Sequence, residues 1–409
     1  MRLAVFTNQF PSRLAPFFAR DMRALLDAQV DLDVFPLYPL DPKEWAYVPD
    51  TLSDRILPRD RVHHISLGAS VGALRWESFN RLPRFLRDAV VLETGALRYG
   101  VASLAKTAYL ALKAWAWAQR FGDYDHILAY WGSYVATCAY LFHRLTDPRI
   151  PFSMYARADA DLYRTPIHLA KKMLYADNVF LICDFNRRYI RNKYDSIFPR
   201  LKSKLHVQYS GLDPDDAPFE PAGRPPHTVL TVGRFVHLKG YHNVIHAVHA
   251  LRRRGIAVKL EMIGGGEEEP ELRRLADVLG VGRDVVFRGW LGPDEVLRAM
   301  RQATVFVHPP VTLDAMPTVI MEAMAVGTPI IASDVAGIPE LLDAGRCGVL
   351  VPPGDVTALA QAIATLLADA TMRMGYARAA RSHLEGPFNL RRNGWRLAEH
   401  LRATQRRVT

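Results

Sequence analysis

Residues 228–264 read "TVLTVGRFVHLKGYHNVIHAVHALRRRGIAVKLEMIG". "TVLTVGRF" is an apolar run of the kind buried on both faces of a parallel sheet. "YHNVIHAVHALRRR" follows with the spacing of a helix, and "VKLEMIG" returns as a second strand. Strand, helix and strand in this order form a βαβ unit, the repeating element of a doubly wound α/β fold.

The alternation extends in both directions. Downstream come a helix near 270–279, strand "DVVFRGW", helix "PDEVLRAMRQA", strand "TVFVHPP", a short apolar helix inside "DAMPTVIMEAMAVGTP" (314–329), then "PIIASDV" and "CGVLVPP". Upstream, "RLAVFTN", a helix over Pro16 to Ala28, "DLDVFPL", "HILAYWG", "IPFSMYA" and "NVFLICD" repeat the pattern. Between the two series, "LDPDDAPFEPAGRPPH" (212–227) holds five prolines and no periodicity, which marks a linker. A chain of 409 residues exceeds what one core usually supports. The reading is therefore two Rossmann-like domains, 1–211 and 228–390, facing across a cleft, with 391–409 a final helix able to return to the first domain.

Composition narrows the function classes. The three cysteines, Cys138, Cys183 and Cys347, never stand at metal-ligand spacing, which argues against a zinc site and for a reducing compartment. Lys plus Arg exceed Asp plus Glu by 52 to 42, a net charge of +10. That charge suits a phosphorylated ligand, an anionic membrane or a nucleic acid, and no nucleic-acid-binding motif accompanies it. "VASLAKTAYLALKAWAWA" (101–118) is interrupted by Lys106 and Lys113, which argues against a membrane span. Two readings of it stay open: an amphipathic helix with Trp115 and Trp117 on an anionic bilayer, or a core helix with snorkelling lysines. The start "MRLAVFTNQF" reads as a first strand, and the expected location is the cytoplasm, with contact to the inner membrane face.

Three stretches of the second domain fall at strand ends on one rim, where doubly wound sheets bind ligands. "GRFVHLKG" carries Arg234 and Lys239; "IGGGEEE" is a glycine-rich turn that includes Gly265; "DAMPTVIMEAMAVG" opens a helix after Pro317. Glycine turns and a helix start offer N–H groups to an anion, and Arg and Lys add charge. Together these describe a diphosphate pocket. Glu322, one turn into a helix apolar on every side, needs a partner, and two ribose hydroxyls would serve. Each feature also has a plain reading: a tight αβ connection, surface salt bridges, or a carboxylate satisfied by a core arginine.

"DAMPTVIMEAMAVGTPIIASDVAGIPELL" closely resembles the signature of family 4 glycosyltransferases: two acidic residues eight apart, then an Ala-Met-Ala/Gly-Thr-Pro run. "GRFVHLKG" and "IGGGEEEPEL" are similar to further segments of that family, and "FSMYARADADLY", "ADNVFLICDFNRRYI" and "KLHVQYSGLD" to segments of capsular and exopolysaccharide transferases. The resemblance implies the GT-B fold and a retaining sugar transfer from a UDP- or GDP-sugar to a saccharide or lipid-linked acceptor, with no metal. It implies that Arg234 and Lys239 hold the donor diphosphate, Glu322 the ribose and Asp314 the sugar. The backbone of Ala315, Met316, Pro317 and Thr318 would approach sugar and phosphate, while Trp290 and Leu291 flank the base near Gly265. Three positions depart from the family: Asp314 replaces the usual Glu, Ala315 the usual Gly, and Arg157 a common His. Asp159, Asp161 and Asp184 are nucleophile candidates by position alone, and each reads first as a cap or turn residue. Two alternatives stay open: nucleotide-sugar binding without turnover, and a sugar-nucleotide epimerase of the same fold.

Overall fold

The computed structural model describes residues 1–12, 15–47, 59–72, 99–157, 160–164 and 166–408. They divide into two compact units: Met1–Gln208 with Arg391–Thr409, and Tyr209–Leu390.

The first unit holds six parallel strands: β1 (Arg2–Thr7), β2 (Asp31–Pro36), β3 (His126–Ala129), β4 (Phe152–Ala156), β5 (Asn178–Leu181) and β6 (Leu205–Val207). Their order is β2-β1-β3-β4-β5-β6. In β1 to β5 every residue but Arg2 and Asp31 is buried, because helices cover both faces, whereas in the edge strand β6 only Leu205 is. Phe6, Phe35, Trp117 and Phe142 meet on one face with ring centroids 4.9–5.8 Å apart. The helix Val101–Ala118 supplies Trp117 to this cluster. Trp115 and Trp117 are both buried, so neither forms the membrane-facing surface that was one expectation for this helix. Lys113 does not snorkel either. Its ammonium is buried and donates to the Leu37 carbonyl at 2.5 Å, and burial brings its pKa down to about 8. Lys106 is the lysine that reaches outward, over the Tyr134 ring at 4.1 Å. The stretch from Arg75 to Arg120 holds eight basic residues against three acidic ones, a balance expected to suit an anionic surface; its part up to Arg98 lies outside the described residues, and among those described no helix is long and apolar enough to cross a membrane.

The helix Leu390–Val408 closes this unit. Arg402 donates to the Ala28 carbonyl at 2.7 Å, and Asn178 donates to the Thr404 hydroxyl at 2.8 Å. At Gly394 any Cβ would come within 2.5 Å of Ala24, so only glycine lets the two helices approach this closely.

The second unit holds β7 (Thr228–Val232), β8 (Lys259–Ile263), β9 (Val285–Gly289), β10 (Val305–His308), β11 (Ile330–Ser333) and β12 (Val349–Val351). All run parallel, in the order β12-β11-β10-β7-β8-β9. The chain winds outward one way from β7 and then returns to β10 on the other side. The reversal opens a crevice between β7 and β10 at their carboxyl ends. Residues 212–227, expected as a linker, belong to this unit and are tied to it by Arg224. Its guanidinium donates to the carbonyls of Met300, Ala303 and Val326 at 2.6–3.0 Å. Its five prolines limit the backbone bonds this segment can donate, and the half-buried arginine ties it down with side-chain bonds instead.

Candidate active site

At the carboxyl end of β7 the chain turns through Gly233 and Arg234 into a short 3-10 turn, His237–Lys239. Gly240 ends that turn at φ +64°. A Cβ there would lie 2.2 Å from the Pro309 carbonyl, so the turn is pressed onto the loop that leaves β10. The amide of Val311 donates to the Leu238 carbonyl at 2.9 Å and fixes that contact. Two loops distant in sequence are thereby held together at the β7/β10 reversal.

This contact brings Lys239 to Asp314. The ammonium lies 2.5 Å from Asp314 Oδ2. His308, the last residue of β10, meets the same oxygen through Nε2 at 2.8 Å. The ring of His308 is fully buried, and Lys239 and Asp314 side chains are 16% and 17% exposed, which leaves the pair reachable from solvent at one edge. Burial alone would push the Asp314 carboxyl up, but the Lys239 charge and the His308 hydrogen bond outweigh it and hold the group well below the usual carboxylate range. His308 is held below its ordinary value by burial and by the charge of Lys239, against the pull of Asp314. The site at neutral pH is an ionised carboxylate between an ammonium and a neutral imidazole.

The glycine turn after β8 completes the rim. Gly264 has φ +129°, and a Cβ on it would overlap the Gly233 carbonyl at 1.9 Å. Phe235 N donates to the Gly265 carbonyl and Glu268 N to the Phe235 carbonyl, at 2.9 and 3.0 Å. The glycines are therefore required by the close approach of two backbones. Gly265 also faces Trp290, whose indole nitrogen would stand 2.9 Å from an added Cβ. Trp290 is 39% exposed and Leu291 half-buried. Arg234 is exposed, and its guanidinium makes no hydrogen bond or ion pair with the described residues.

The helix Thr318–Val326 starts directly after Pro317, which gives it no side-chain cap, and stops at Gly327 with φ +78°. Ala315, Met316 and Pro317 are buried just before it, and Glu322 is buried within it at 7% exposure. Arg234, Lys239, Gly265, Trp290, Leu291, Asp314 and the 315–318 backbone all belong to loops at the carboxyl edge of the second sheet.

Arg157 belongs to the first unit, at the carboxyl end of β4. Its guanidinium is buried against Tyr130, Phe17, Tyr155 and Trp131 with 4.3–5.6 Å to the ring centroids, and lies 3.8 Å from the Asp21 carboxylate. Asp161 is also buried and accepts from the Ser133 amide at 2.9 Å, which makes it a brace for two loops. Asp184 starts the helix Asp184–Lys193 and is bound by Arg187 and by Arg188, the latter at 2.5 Å. Asp159 lies outside the described residues.

Two groupings escape a sequence reading. His308 ends an apolar strand, "TVFVH", where it looks like any strand terminus, and only its position opposite Asp314 reveals it. Asp343, Cys347 and His383 bring their ligating atoms within 4.8 Å, a grouping that cysteine spacing does not disclose. There Arg346 already occupies both Asp343 oxygens at 2.5 and 2.7 Å, and burial raises the Cys347 thiol to about 11.

Residues 215–383 match the family described as glycosyl transferases group 1. The amylovoran biosynthesis glycosyltransferase AmsK of Erwinia amylovora is 26% identical over 425 aligned residues, covering 95% of this chain and 96% of that protein. The lipopolysaccharide core biosynthesis glycosyltransferase LpsE of Rhizobium meliloti is 35% identical over 188 residues, 45% of this chain and about half (49%) of that protein. The crystal structure of Anabaena Alr3699/HepE in complex with UDP superposes with a TM-score of 0.68 at 16% identity, over 98% of this chain and 99% of that one. At that identity the likeness shows the fold, two Rossmann-like parallel α/β units of the GT-B type.

Proposed function

We propose that this chain, whose residues 215–383 match the glycosyl transferases group 1 family, moves a sugar from a nucleoside-diphosphate sugar to a saccharide acceptor in polysaccharide biosynthesis. The observation that carries this is the charge arrangement at the β7/β10 reversal: an exposed Arg234, Lys239 paired to Asp314 at 2.5 Å, and an uncapped helix start, all on one sheet edge. Two cations and the N–H groups of a helix start without a side-chain cap fit a diphosphate, and a carboxylate beside them fits the hydroxyls of the attached sugar.

In this reading Arg234 and Lys239 bind the diphosphate and stabilise it as it leaves, since negative charge on it grows when the bond to the sugar breaks. Asp314 accepts from a sugar hydroxyl, Glu322 from the ribose, and Trp290 with Leu291 flanks the base. The bond from the anomeric carbon to the phosphate oxygen breaks, and a bond from that carbon to the acceptor oxygen forms on the same face. The acceptor proton passes to the departing phosphate. The two cations perform the neutralisation that a divalent metal performs elsewhere, so activity should survive chelation. The acceptor is assigned to the first unit, carried on a lipid at the cytoplasmic membrane face, with Arg and Lys drawing the protein to anionic headgroups.

The test is incubation with radiolabelled UDP- and GDP-sugars in EDTA. Slow release of free nucleoside diphosphate supports the transferase. Binding without release points to a nucleotide-sugar receptor, and absence of both removes the proposal.

A further inference from the structure

We propose that His308 is a positioning residue that sets how sharply the site reads its donor sugar. This rests on the role given to Asp314 above. Asp314 sits on the loop between β10 and the helix Thr318–Val326, a segment without regular structure. Its two oxygens are not equivalent. Oδ2 receives both Lys239 at 2.5 Å and His308 at 2.8 Å, while Oδ1 accepts no hydrogen bond from the described residues. The carboxylate thus presents one oxygen to a ligand.

The two anchors differ in kind. Lys239 is a compact cation with three rotatable donors on a flexible stem, and it is the group the donor diphosphate attracts. As the diphosphate draws on its charge, its hold on Asp314 weakens. His308 cannot follow. Its ring is fully buried, its backbone is fixed in β10 by pairing with β11, and Phe306 lies alongside it with ring centroids 6.3 Å apart. An ionised carboxylate can only accept, so Nε2 carries the proton, and buried Nδ1 has no hydrogen-bond partner. The ring therefore stays in one tautomer and one direction, and keeps Oδ1 in register when Lys239 is drawn away. A carboxylate one methylene shorter than the family's glutamate has less slack, which makes a rigid anchor more consequential.

The experiment compares His308→Leu, His308→Gln and His308→Asn. Glutamine places an N–H where Nε2 stands; asparagine is equally polar but too short to reach Asp314. Affinity for UDP and GDP alone is measured by calorimetry, and kcat/KM is measured for UDP-glucose, UDP-galactose and GDP-mannose. We expect His308→Leu and His308→Asn to keep nucleoside diphosphate affinity within about twofold and to lose about tenfold in kcat/KM for the preferred donor. The ratio between UDP-glucose and its epimer should narrow, and His308→Gln should restore it. If leucine prevents folding, the Asn/Gln pair alone decides. Unchanged discrimination in folded His308→Asn overturns the inference while the transferase reading stands. A wild-type protein that turns over none of the three donors overturns the reading of the site itself.

Discussion

A carboxylate with two donors on one oxygen invites substitution at the level of single side chains. Asp314→Glu restores the residue usual in family 4, but its extra methylene must displace either Lys239 or the ligand. We expect an altered donor preference, and identical kcat/KM ratios across donors would show that Asp314 does not read the sugar. Glu322→Ala should weaken nucleotide-sugar binding about tenfold, since two hydrogen bonds to hydroxyls contribute about 1–3 kcal/mol together. Calorimetry that finds unchanged affinity removes the ribose role. Arg234→Ala should lower kcat more than it raises KM, because its partner gains charge toward the transition state. The acidic pair was legible in the sequence, since its spacing belongs to one loop and one helix turn. His308 was not, because its meeting with Asp314 depends on how the loop after β10 folds back.

Elements carry their own tests. Gly264 is required by the Gly233 carbonyl it touches, so Gly264→Ala should destabilise the second unit by about 3 kcal/mol or more and lower its urea midpoint. β3 offers a pH test. His126 is fully buried, and burial brings its pKa down to about 3. Between that value and 6.5 the unfolded chain binds a proton that the folded chain refuses, so stability falls as pH drops through this window. At pH 4 the loss amounts to roughly 3 kcal/mol. His126→Gln, with no proton to refuse, should flatten the dependence of the urea midpoint on pH, and an unchanged slope would assign it to other groups. Strands were the easiest elements to read, because burial on both faces leaves an unbroken apolar run. The helix Val101–Ala118 was harder. Its lysines suggested a wet or membrane face, whereas Lys113 is accommodated by one carbonyl in the core, a contact made across 76 residues of sequence.

On the scale of the whole molecule, the basic surplus predicts binding to anionic but not zwitterionic vesicles, weakened by salt through screening. Co-sedimentation at low and high ionic strength checks this, and absence of binding at low salt removes the membrane proposal without touching the sugar site. Strand neighbours were only partly legible: βαβ alternation implies parallel sheets, but the reversal between β7 and β10 is a property of the assembled sheet. The first unit also depends on the helix Leu390–Val408, which buries Leu397 and Leu401. Ending the chain at Leu390 should cost that unit about 3 kcal/mol or more, read as an earlier melting transition.

That same helix orders events on the ribosome. The first unit is interrupted in the chain by the whole of the second, so its last helix leaves the exit tunnel only after residues 209–390 have emerged. The second unit can therefore finish folding while its predecessor still waits, with the flank of Ala24, Ala28 and Asn178 uncovered. For the time needed to translate those residues, on the order of 10–40 s at bacterial-like elongation rates, that open flank is a natural station for a chaperone.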